Sequence, residues 1–310
     1  MKSEKKGFMA AFKKKYKNEI VAYSLLAYPL LHWGVFFVIQ FFRAFGLSFT
    51  DWDIFSEANF VGFSNYTTIL FKDEVFRIAL INTVLWALAM AVGPLVIGFL
   101  VALMVNHISK GSVFFRTLLY WPALISKVVF TSIQERIFSS SPYGLINRLL
   151  GLFGVDAVAW FDNPDIALPS LMLWPFLMGF SFPMLFFLAG LKQIPKTFYE
   201  AAEVDGAKKS TILFKITLPL MKPIIFLNLI LGMTGTFSLT EGFRALAPMQ
   251  LITKGGPIHA TYSVVYKIYT DGFDKYQMGY ASAMSFILFA IILIMTIIQF
   301  KIQGEQVSYE

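Results

Sequence analysis

The chain contains no cysteine. That excludes a disulfide framework, a thiolate metal site and a cysteine nucleophile. Histidine is nearly as scarce: His32, His107 and His259 are scattered and form no metal-ligand set. Charge is short as well, at 15% of 310 residues against about a quarter in an ordinary soluble domain. No Gly-x-x-x-x-Gly-Lys-Ser/Thr phosphate loop occurs, which argues against ATP hydrolysis by this chain. No acid pair, histidine cluster or nucleophile with a base stands out, which argues against an intramembrane enzyme. No inverted repeat is visible, which weighs against the alternative of a stand-alone secondary transporter or channel.

The surplus is apolar. Hydrophobic residues make up 57% of the chain, with 34 phenylalanines, and they gather in long runs. About 20 consecutive apolar residues suffice to cross a bilayer as a helix. Such runs occur at about 21–45, 79–106, 113–135, 166–191, 223–243 and 279–300, so the expected fold is an all-α membrane protein of six spans. Seven lysines among residues 2–17, a basic link at 107–116 and six lysines between 192 and 222 mark one side. The loops at 46–76 and 137–165 are acidic, whereas in the third, about 244–278, Arg244, Lys254, Lys267 and Lys275 outnumber Asp271 and Asp274. The positive-inside rule then places both termini in the cytoplasm. The run after the basic head is too long for a signal peptide and lacks a small-residue cleavage site. The expected organisation is a basic segment at 1–20, a six-helix transmembrane domain at 21–303 containing a cytoplasmic loop at 192–222, and a tail at 304–310. Pro29 is expected to bend the first span. Pro169, Pro175 and Pro183 predict a broken fourth span, whose freed carbonyls need other partners. Leu145, Ile146, Leu149, Leu150 and Phe153 repeat at helical spacing and predict a short amphipathic helix at the membrane face.

The polar run in the second half has a readable shape. Thr197-Phe-Tyr-Glu200 fits a capping box. Ala201 and Ala202 leave a bare helical face, and Asp205-Gly206 stops the helix. A second helix over about 208–218 is expected to end before Pro219, with Pro219 and Pro223 forming an elbow into the fifth span.

Glu200-Ala-Ala-x-x-Asp-Gly-Ala207, followed by Phe214, Ile216, Leu218, Pro219 and Pro223, resembles the EAA loop of binding-protein-dependent ABC importer permeases. Gly62-x-x-Asn65-Tyr66, Phe115-Arg116 with Pro122, Trp160-Phe161 and Thr253-Lys-Gly-Gly-Pro257 resemble the carbohydrate, maltose-transporter-like branch. The resemblance spans about 20–302. The first external loop lacks the large extra domain of the maltose protein. The likeness implies that Glu200, Ala201, Ala202, Asp205, Gly206 and Ala207 seat in a cleft of a cytoplasmic ATPase subunit. It implies a heterodimer with a second permease subunit, two ATPase subunits carrying ATP and Mg²⁺, and an extracytoplasmic solute-binding protein. This chain would need no cofactor and would bind no nucleic acid, and the setting would be lipid of a bacterial cytoplasmic membrane. Thr253, Gly255, Gly256 and Pro257 would meet the binding protein; the plain alternative is a connector.

Intramembrane polar residues usually face a bundle interior or cavity. In the fifth span Leu231, Thr234, Gly235, Ser238 and Glu241 share one side, and by resemblance that register lines the sugar site. Hydrogen bonding between helices is the structural alternative for Thr234 and Ser238, and pairing with Arg244 for Glu241. In the fourth span Trp174, Leu177, Phe180 and Phe182 could offer faces to sugar C–H surfaces, or could be core or lipid-facing side chains. Lys127, Thr131 and Gln134 recur at i, i+4 and i+7. A lysine at that depth either snorkels outward or favours a carboxylate-bearing cargo such as a uronate or sialate. A polyol phosphate such as glycerol phosphate is the second candidate cargo.

Overall fold

The computed structural model describes residues 19, 21–108, 110–237 and 248–304. Among them no strand forms; the nearest approach is an isolated bridge between Thr50 and Phe60. Helix α1 covers Val21–Leu47, α2 covers Ser64–Phe71 and α3 covers Glu74–Asn106. Helix α4, Ser112–Tyr120, runs through a 3₁₀ turn to Leu124 and is followed by α5, Lys127–Ile137. Helix α6 is Leu145–Gly151. Helices α7, Pro164–Met178, and α8, Ser181–Gln193, form one candidate span. Helix α9 is Lys196–Val204. Helix α10, Lys209–Ile212, continues through a π turn at Leu213–Thr217 into α11, Leu218–Phe237. Helix α12, Val264–Tyr269, precedes α13, Met278–Gly304. Among the described residues five stretches are long and apolar enough to cross a membrane, or six if α4 and α5 count as one span.

Helix α3 is the axis of the bundle. Asp73 caps it by accepting from the Phe76 amide at 2.8 Å, and Glu74 adds a negative charge to its first turn. Its buried residues include Ala79, Thr83, Ala87, Ala91, Pro94, Gly98 and Ala102, three or four apart. In lipid the hydrophobic effect gives helices little reason to associate, so close packing must hold them, and small side chains permit it. A Cβ on Gly98 would lie 2.9 Å from Pro183 Cβ and 3.1 Å from the Met184 amide, so only glycine lets α8 come this near. Phe99, Ala102, Phe187, Leu188 and Met221 fill the junction of α3, α8 and α11. At the other end Phe76, Ala79, Val264, Met284 and Leu288 join α3, α12 and α13. Helix α1 contributes no buried residue to its candidate span. It meets α13 through Phe41 and Phe45, whose rings lie 5.2 and 5.0 Å from Phe286.

The prolines behave in three ways. The fourth span breaks at Gly179–Phe180, between α7 and α8, as the proline pattern predicts. Helix α1 continues through Pro29, and its departure from α geometry falls at Gly34–Val38. The expected elbow at Pro219 and Pro223 is absent. The chain stays helical from Lys209 to Phe237, with Pro223 inside α11. The π turn supplies the reason. The Leu218 amide donates to the Leu213 carbonyl, one residue farther back than in an α-helix, just before Pro219. The wider turn accommodates a ring that has no N–H and would crowd the preceding turn.

The third span is the largest departure from expectation. Helices α4 and α5 meet at 93°. The 3₁₀ turn at Trp121–Leu124 ends one helix, and Ser126 starts the next by accepting from the Val129 amide at 3.3 Å.

Candidate translocation site and docking surfaces

Lys127 is the first residue of α5, directly after this bend, and is exposed. Its Nζ lies 5.7 Å from the Phe130 ring centroid. Phe130 in turn lies 5.6 Å from Trp174 on α7. Thr131 and Gln134 are buried, so the i, i+4, i+7 stripe divides between a free cation and two interior polar groups. Gln134 Nε2 donates to the carbonyls of Leu171, at 2.8 Å, and Ser170, at 3.3 Å. Leu171 is the residue whose carbonyl Pro175 leaves without its helical donor. Gln134 Oε1, an acceptor, and Trp174 Nε1, a donor, are buried with no hydrogen-bond partner among the described residues. Aromatic faces with free donor and acceptor atoms and one positive charge suit a polar ring compound carrying negative charge.

The other residues singled out for a pathway are not all gathered here. Leu177 and Phe182 are exposed, whereas Phe180 is buried in the cluster with Phe99 and Phe187. Phe180 and Phe182 therefore serve different surroundings, since two residues apart on a helix point to nearly opposite sides. Phe182 lies 5.0 Å from Phe186 instead. Leu231 is exposed on α11. Thr234 and Gly235 fall in its last turns, where side-chain surroundings are not described, and Ser238 and Glu241 lie outside the described residues.

Helix α9 begins at Lys196, with Pro195 rather than Thr197 at its N-cap, and has no side-chain cap. The expected capping box does not form, because Thr197 already lies within the helix. The stop is as expected. Gly206, at φ +71°, adopts the left-handed conformation. Its amide donates to Glu203, at 3.0 Å, and the Ala207 amide donates to Ala202, at 2.9 Å, which closes a Schellman motif. The two alanines separate: Ala202 is buried against the body of the protein and Ala201 is exposed. Tyr199 also faces inward, 3.4 Å from the Thr217 hydroxyl. Thr197, Glu200, Ala201 and Val204 form the outer face, where Val204 is 88% exposed. Asp205 is exposed beside them.

Of the Thr253–Pro257 turn, Gly255 is buried beneath Tyr262 and Tyr266. Thr253 Oγ1 meets Thr261 Oγ1 at 2.7 Å, and Thr261 donates to the Gly256 carbonyl at 2.8 Å. Thr253, Gly256 and Pro257 are half-buried. They shape the turn, whereas Lys254, Ile258 and His259 project from it. Asn82 on α3 anchors the segment by donating to the carbonyls of Ala260, at 3.0 Å, and Tyr262, at 2.9 Å. Thr83 beside it accepts from the Val264 amide at 2.9 Å.

Sequence reading missed one cluster. Lys267 is 5% exposed and lies 3.0 Å from Asp73 and 2.8 Å from Asp271. Lys275 reaches Asp271 at 2.7 Å, and Tyr280 donates to Asp73 at 2.7 Å. The signal available was Lys267, Asp271 and Lys275 at successive i, i+4 spacings. Burial pushes the Asp73 carboxyl up, but the Phe76 amide, Tyr280 and Lys267 outweigh it and hold the group below the usual carboxylate range. No group of three or more metal-ligating side chains occurs among the described residues.

No protein-family profile matches the chain. It is 36% identical over 300 residues to the probable ABC transporter permease protein YesP of Bacillus subtilis, covering 95% of this chain and 94% of that one. It is 32% identical over 297 residues to the multiple sugar-binding transport system permease protein MsmF of Streptococcus mutans, covering 94% and 98%. The sn-glycerol-3-phosphate transport system permease protein UgpA of Salmonella choleraesuis is 28% identical over 305 residues, covering 97% and 100%. Among solved structures, a bacterial ABC transporter involved in the import of the acidic polysaccharide alginate contains a chain with TM-score 0.79 and 25% identity, covering 95% and 99%. The likeness runs nearly end to end in each case. The chain belongs to the carbohydrate ABC importer permeases.

Proposed function

We propose that the chain is one of two permease subunits of an ATP-driven importer whose cargo is an oligosaccharide bearing carboxylates. The observation that carries this reading is Lys127 at the break of the third span, its ammonium over Phe130, whose ring in turn lies 5.6 Å from Trp174. Lys127 opens α5, so the positive end of the helix dipole adds to its charge. A uronate or sialate would place its carboxylate on Lys127 and its ring face on the aromatics. The alginate importer, whose cargo is an acidic polysaccharide, lends support. Membership among importer permeases displaces the stand-alone secondary transporter considered at first.

The motor contact in this proposal is the outer face of α9, with Glu200, Ala201 and the exposed Val204 seated on a cytoplasmic ATPase subunit. ATP and Mg²⁺ belong to that subunit. The solute-binding protein would meet Lys254, Ile258 and His259 on the opposite side, and both termini would lie in the cytoplasm. ATPase closure would rock the spans, and hydrolysis would reset them.

Reconstituted transporter with its binding protein tests the cargo. Oligosaccharides containing uronates should stimulate ATPase activity more than neutral ones of equal length, and Lys127→Met should remove the difference. Equal stimulation of both forms by acidic sugars sinks the assignment to Lys127. A second reading, a polyol phosphate, draws on the similarity to UgpA. Stimulation by glycerol phosphate but not by saccharides would select it.

A further inference from the structure

Helix α6 is polarised the wrong way for water. Its buried polar residue, Asn147, donates to the carbonyls of Ser139, Ser141 and Val158 and accepts from the Val158 amide and Trp160 Nε1. These bonds lock the segment onto the ends of α5 and α7, where Ile146 and Trp160 pack with Phe138 and Phe161. The outward face carries Leu145 and Leu149, and the turn that follows carries Leu152 and Phe153, 77% and 84% exposed. A helix facing water would turn these side chains in and Asn147 out. The lock prevents that inversion, so the apolar side chains stay outside by construction.

A groove of about 780 Å³ runs beside them, lined by Tyr143, Asn147, Arg148, Val155 and Asp156 among others. The side chains of Arg148 and Asp156 have no hydrogen bond or ion pair among the described residues. One free cation and one free anion thus share a groove that borders an exposed apolar strip. The segment joins two membrane-crossing elements directly, which sets it at the depth where hydrocarbon gives way to headgroups. A phospholipid of ethanolamine type matches all three features: acyl chain, phosphate and ammonium.

We propose that α6 and the turn after it form a phospholipid-binding surface in the leaflet at that end of the bundle. Leu149, Leu152 and Phe153 enter the acyl boundary, Arg148 holds the phosphate and Asp156 holds the amine of phosphatidylethanolamine.

The absence of cysteine permits a direct test. Leu152→Cys, Phe153→Cys and, as a water-exposed reference, Ser56→Cys are each spin-labelled in the transporter reconstituted with its partner subunits. The vesicles contain phosphatidylethanolamine and phosphatidylglycerol. Collision with oxygen should exceed collision with a polar nickel chelate at 152 and 153, and the reverse should hold at 56. Labels at 152 and 153 that favour the nickel chelate overturn the proposal. So does protection from both reagents that arises only when the solute-binding protein is added, which would make the face a protein contact. For the headgroup, native mass spectrometry compares retained phosphatidylethanolamine with retained phosphatidylglycerol. Arg148→Gln and Asp156→Asn should each lower ethanolamine-lipid retention about fivefold. Unchanged retention in both variants overturns the headgroup assignment.

Discussion

The side-chain amide of Gln134 donates at 2.8 Å to the Leu171 carbonyl, the acceptor that Pro175 leaves without its helical donor. One helix thus repairs a defect in its neighbour. Gln134→Leu should lower the thermal midpoint of the purified protein, by an amount corresponding to about 1–3 kcal/mol for a buried unsatisfied carbonyl. Pro175→Ala restores the backbone donor. The double variant Gln134→Leu/Pro175→Ala should therefore recover most of the loss, and a strictly additive pair would refute the repair.

The buried ions around Asp73 should show in the acid limb of stability. Its folded pKa is depressed, so its stabilisation is present above the unfolded value of about 3.9 and is lost as pH falls through the folded value. Thermal midpoints measured from neutral pH down to about pH 3 should fall in the native chain. They should fall less in Asp73→Asn, which starts lower. Lys267→Met leaves two carboxylates without their shared cation and should cost about 3–5 kcal/mol.

The closing turn of α9 separates structure from contact. Gly206→Val places a branched side chain at φ +71°, at a cost of about 1–2 kcal/mol, and should loosen the helix. Val204→Asp alters only the exposed face and should leave the thermal midpoint unchanged. If α9 is the motor contact, both variants lose co-purifying ATPase, but only Gly206→Val loses stability. Retention of the ATPase by Val204→Asp would move the contact elsewhere.

Asn82 holds the projecting turn through two carbonyls. Asn82→Leu leaves both without that donor. Trypsin should then cleave after Lys254 faster, by about tenfold for a loss near 1.4 kcal/mol, while cleavage at other exposed lysines such as Lys196 stays constant. Uniform acceleration at all sites would indicate global loosening instead.

Apolar run length was enough to find α1, α3 and α13, because lipid demands long uninterrupted helices. It failed at Ile125–Ser126, since averaged hydropathy cannot register a bend whose two arms are both apolar. The proline rule succeeded at the α7–α8 break and failed at Pro219, where a widened turn absorbs the missing donor. The Thr197–Glu200 spacing matched a cap, but Pro195 takes the N-cap position and the helix has begun at Lys196. In the candidate site Lys127 and Trp174 were legible as chemistry. The buried placement of Gln134 and Phe180 was not, because facing depends on partners distant in sequence. The same limit hid Asp73 from Lys267.

The unbroken run from Lys209 to Phe237 makes a lever of what would otherwise be a joint. Thr217, where α9 touches it through Tyr199, and Leu231 are about 20 Å apart along the axis at 1.5 Å per residue. A tilt of about 5° imposed near Thr217 swings Leu231 sideways by about 2 Å, with no hinge between them to absorb the movement.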